Sequence, residues 1–61
     1  MITAETADTL TYEQLNWLRH NTGWLGRAAL DQEMIGRAIR GDRDARARCA
    51  AAWNVRHGGA P

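Results

Sequence analysis

A chain of 61 residues with a formal net charge of +1 has room for one domain, and folding buries only about 60% of the surface that such a chain exposes when unfolded. Leu, Ile and Val supply nine residues and Phe none, so three tryptophans carry much of the apolar mass. The sequence holds no apolar run near the ~18 residues of a membrane span, and a single cysteine, Cys49, excludes an intramolecular disulfide.

Met1 to Thr9 is polar, threonine-rich and without a period. It reads as a flexible N-terminal arm ahead of one helical domain over 10–58, with a tail at 59–61. Thr11 and Gln14 have the spacing of a capping box, and Leu10 stands where a hydrophobic staple to Leu15 begins. Helix one is therefore predicted over about 12–21. Leu15 and Leu18 form its apolar stripe, Tyr12 flanks it, and Trp17 projects away from it. Asn21-Thr22-Gly23 breaks that helix. The short link predicts a roughly antiparallel second helix over about 25–40.

In helix two, Ala28, Ile35 and Ile39 fall at helical spacing, widened by Met34 and Ala38, with Leu30 at the edge. Glu33 precedes Arg37 by one turn, the favourable order for an i,i+4 ion pair. Asp31 interrupts the apolar arc, and Gly36 is expected to mark a close approach by another helix. Gly41 suits a left-handed C-cap and Asp42 can cap a third helix, predicted over about 43–57 and ended by Gly58 and Gly59. Ala45, Cys49, Ala52 and Trp53 line its inner face, which is built mostly of small side chains. The fold class is all-α, a hairpin or bundle of two to three short helices. A core so poor in aliphatics predicts oligomerisation, a homodimer in the simplest case.

Five arginines, Arg37, Arg40, Arg43, Arg46 and Arg48, fall within twelve residues. Residues 1–18 carry three acids and no arginine, whereas 19–61 carry eight arginines and four acids. Such a basic end can meet phosphates or an acidic protein surface, or can serve as a solvated face paired with Glu33, Asp42 and Asp44. The whole-chain pI near 8.0 is below the value above roughly 9 that usually marks a nucleic-acid footprint. Met34 to Arg48 superficially resembles a helix-turn-helix, with a glycine turn and a basic second helix. It departs from that pattern where Arg37 stands at the small position and Arg40 and Asp42 flank Gly41. Ala38 to Ala45 also resembles the Gly-Asp-x-x-Ala turn of small bacterial sigma factors, over fewer than a dozen residues. A capped helix hairpin accounts for that turn equally well.

Tryptophan and arginine are enriched at interface hot spots, which makes Trp17 a candidate for partner binding beside the five arginines. His20, Cys49 and His57 lack the paired short spacing of a metal site, and no glycine-rich phosphate loop is present. No enzyme activity, cofactor or small-molecule substrate is expected. The lack of a basic-then-apolar leader pattern makes the cytoplasm the expected compartment. Arginine without lysine points to a GC-rich bacterial or phage genome. The leading reading is a small regulator or inhibitor that binds a host protein or its own copy. A nucleic-acid-binding regulator and a structural subunit of a phage particle are the alternatives.

Overall fold

A computed structural model describes residues 1–57. Those residues form one 3-10 turn (Ala7–Thr9) and three α-helices, α1 (Tyr12–His20), α2 (Ala28–Ile39) and α3 (Arg43–Arg56), with no strand among them. The expected helix end at Gly58–Gly59 and the tail at 59–61 lie outside the described residues.

Local chemistry fixes most helix ends. Thr11 Oγ1 accepts from the Gln14 N–H at 3.1 Å, and Gln14 Oε1 accepts from the Thr11 N–H at 2.8 Å, so both bonds of the capping box form. Gly41, at φ +95°, ends α2. Its N–H bonds the Ala38 carbonyl and the Asp42 N–H reaches back to Arg37, each at 3.0 Å, which satisfies two carbonyls of the last turn. Asp42 then caps α3 by accepting from the Ala45 N–H at 3.1 Å.

Helix two begins at Ala28 instead of about 25, and the cause is Asp31. Its carboxylate is fully buried and accepts from three successive backbone N–H groups, those of Gly23, Trp24 (3.2 Å) and Leu25 (3.0 Å). The loop is thereby wrapped around a residue one turn inside α2, with Gly23 and Gly26 at positive φ. The left-handed backbone at Gly23 and Gly26 keeps this loop from joining the helix. The burial of Asp31 also rotates the inner face of α2. Asp31, Ile35 and Ala38 point inward, whereas Ala28 and Ile39 of the predicted arc are exposed.

Ten buried apolar residues from the N-terminal segment and all three helices make up the core; its largest fully enclosed side chains are Leu15, Leu18, Ile35 and Cys49, and the Asp31 carboxylate is enclosed as well. The small residues of α3, namely Ala45, Cys49, Ala50 and Ala52, are buried against this group. Residues 1–9, expected as an arm, lie along α3. Asn54 exchanges two hydrogen bonds with the backbone of Ile2 (3.0 and 2.7 Å), and Ala7 and Leu10 are buried. Gly36 does not mark a close helix approach. A methyl group added there meets only the Arg40 guanidinium, at 3.6 Å.

Candidate functional site

Leu30 and Met34 lie one turn apart on α2, on the flank of the inward stripe. Because Asp31 rather than Leu30 turns to the core, Leu30 is left 45% exposed. Together with Leu25 from the preceding loop, these two form the floor of an open groove of about 270 Å³. Glu33 and Arg37 from α2 and Arg48 from α3 supply its charged walls. Farther along α3, Ala51 and Val55 lie one and two turns beyond Arg48 on the same helix face, and Val55 is 76% exposed. The apolar strip therefore continues from the groove along α3.

Helical geometry divides the arginine cluster among different surroundings. Arg37 and Arg48 both line the groove. Arg37 pairs with Asp42 at 3.2 Å and Arg48 with Asp44 at 3.3 Å. The predicted Glu33–Arg37 pair is not formed, because Asp42 at the following helix cap offers Arg37 a partner instead. Arg46 turns toward the protein, where its Nη1 donates to the carbonyls of Ala7 (3.3 Å) and Leu10 (3.2 Å) and ties the N-terminal segment to α3. Its position one residue after the buried Ala45 and four before the buried Ala50 carried that information in advance. Arg40 and Arg43 are exposed and form no ion pair among the described residues.

Trp17 is half-buried on a different part of the surface, between neighbouring rings. Its ring meets Trp53 edge-on at 5.6 Å and His57 edge-on at 4.4 Å, and Trp53 and His57 stack at 3.6 Å. Trp24 is anchored by its indole N–H, which donates to the Leu18 carbonyl at 3.2 Å. The tryptophans thus close gaps that the aliphatics leave, and Trp17 does not reach the groove. Leu25, Leu30 and Met34 are the surface residues that sequence reasoning passed over. Their signal was present in the i,i+4 pair Leu30/Met34, set off from the core stripe once Asp31 is assigned inward.

Burial raises the Cys49 thiol to about 11, against a smaller lowering by Arg46 and a further raising by Asp31, so it is a packing residue and not a nucleophile at neutral pH. No group of three His, Cys, Asp or Glu side chains among the described residues is arranged to hold a metal. No helix among them is long and apolar enough to cross a membrane. A second, larger cleft of about 410 Å³, between Glu5 and Asp8 of the N-terminal segment and Arg43 and Arg46 of α3, has mixed charge, and its apolar side chains are the alanines Ala4 and Ala7. No protein-family model, curated protein or solved structure matches this chain.

Proposed function

We propose that this protein is a small helical regulator or inhibitor, of the kind that phages and mobile elements encode, acting in the cytoplasm by binding a host protein through the α2–α3 groove. The observation that carries the reading is Leu30. Three of the nine Leu, Ile and Val residues are exposed, namely Leu30, Ile39 and Val55, and Leu30 stands beside Met34 and Leu25 in a groove walled by two arginines. An apolar floor with arginines at its rim is the composition of an interface centre and its edge. Protein is better supported than nucleic acid as the partner. Three of the five clustered arginines are already engaged, Arg37 and Arg48 by aspartates and Arg46 by backbone carbonyls.

The test uses a photo-crosslinking residue at position 30 in the full chain expressed in a bacterial host. The crosslinked protein is identified, purified and titrated against wild type, Leu30→Glu and Arg48→Glu. Binding at least tenfold weaker for both variants, with unchanged melting, supports the reading. Wild-type affinity in both variants removes the groove from the function. Binding to duplex DNA that falls steeply with salt, with no protein complex, transfers the function to the exposed arginines.

A further inference from the structure

The groove carries both signs of charge, and its pattern matches itself. Leu30, Glu33, Met34 and Arg37 occupy one face of α2 at spacings of three and four residues. Glu33 forms no hydrogen bond or ion pair among the described residues, and Arg48 uses only its Nε toward Asp44, which leaves both terminal nitrogens free.

We propose that the groove of the free protein is covered by a second copy of this chain, with the two α2 helices antiparallel about a two-fold axis near Glu33 and Met34. In such a pair residue i meets j of the partner copy, and j meets i. Centring the axis between positions 33 and 34 sets Leu30 against the aliphatic stem of the partner's Arg37. Met34 then lies beside its own counterpart. Each Glu33 carboxylate is offset by about 4.5 Å along the helix axis from the partner's Arg37 guanidinium, at 1.5 Å rise per residue, which both side chains can span. The ion pair forms twice, through the Arg37 Nη1 that the pairing with Asp42 leaves free. An acidic peptide would match the arginines and be repelled by Glu33; a copy of the chain answers both Glu33 and Arg37.

Size sets the strength. A stable interface near the lower limit removes about 600 Å² per chain. Here that is about 15% of the 3963 Å² surface, a patch that the groove anchors and the Arg48–Val55 edge of α3 extends. The pair therefore sits at the small end of stable interfaces and yields to a tighter partner. This inference rests on the groove being the binding surface, and it makes the homodimer a reserve form from which the regulator is drawn.

Sedimentation equilibrium over 5 µM to 1 mM tests it, on wild type, Glu33→Arg, Arg37→Glu and the double variant, with melting curves recorded for each. Wild type should pair, and each single variant should pair at least tenfold more weakly. An equimolar mixture of the two singles should pair again, because one chain then offers two arginines and the other two glutamates. The double variant should also recover. Glu33→Arg has no intramolecular partner to lose, so it reads the interface even if Arg37→Glu melts early. A wild-type monomer at 1 mM overturns the proposal, and so does a dimer that Glu33→Arg leaves intact. A wild-type monomer that still forms a groove-dependent complex with a host protein removes only the dimer. A dimer without any such complex removes the host-binding function and leaves the dimer standing.

Discussion

Removing the Asp31 carboxylate should cost this protein a large part of its stability. The side chain is 0% exposed and accepts from three backbone N–H groups in the loop before α2. Hydrogen bonds to a charged group contribute about 1.5–3 kcal/mol each. Gly23 is exposed and Trp24 and Leu25 are half-buried, so water re-pairs part of what Asp31→Ala removes. The desolvation cost of the carboxylate is recovered as well. The net loss is about 3 kcal/mol, in the range found when one partner of a buried charge is stripped away. A domain of 61 residues has about 3–9 kcal/mol in total, at 0.05–0.15 kcal/mol per residue. Thermal melts followed by circular dichroism should therefore show Tm lower by about 12–24 °C, at 4–8 °C per kcal/mol. Asp31→Asn, which keeps the shape and one acceptor, should lose about half as much. Asp31→Leu is the sharper control, since it fills the space and leaves the three N–H groups unbonded. If Asp31→Leu melts within about 3 °C of wild type, the carboxylate does not hold the loop and the reasoning fails.

Gly36→Ala should raise stability by about 0.5–1 kcal/mol, because the added methyl meets only the flexible Arg40 side chain at 3.6 Å and the helix loses its glycine penalty; urea denaturation reads this, and a lower midpoint contradicts it. Cys49 should react with a disulfide reagent at pH 8 only after denaturation, since burial raises the thiol to about 11. Rapid reaction of the native protein would contradict that assignment. The N–H of Ala45 and the Arg37 guanidinium hold the Asp42 carboxyl below the ordinary aspartate value, against some opposing desolvation. A folded pKa below the unfolded one contributes stability that is complete above the unfolded value and is lost as pH falls through the folded value. Wild type should thus lose stability below pH 4 more steeply than Asp42→Ser, which keeps a neutral cap; equal slopes would contradict it.

The three helices were legible because their signals are local. The capping box at Thr11–Gln14 and the Gly41-Asp42 junction both formed, and the alanine–cysteine face of α3 is the buried one. Sequence periodicity failed at contacts between distant residues. The link from Asn54 to Ile2 and that from Arg46 to Ala7 and Leu10 join polar groups far apart in the chain, and no period announces them. Asp31 was visible as an anomaly in an apolar arc, yet its role depended on a loop whose amides had no other partner. The candidate surface followed from the same miss. With Ile39 assigned inward, Leu30 was an edge residue; with Asp31 inward, Leu30 and Met34 become the floor of the groove.

The concentration dependence of Tm tests most directly whether a second molecule completes the apolar burial that this chain leaves unfinished. Between 5 and 500 µM, mass action should raise the wild-type Tm by about 5–10 °C if folded chains are paired throughout, and Leu30→Glu should show no such rise. A wild-type Tm constant across that range would mean that the groove stays bare in solution.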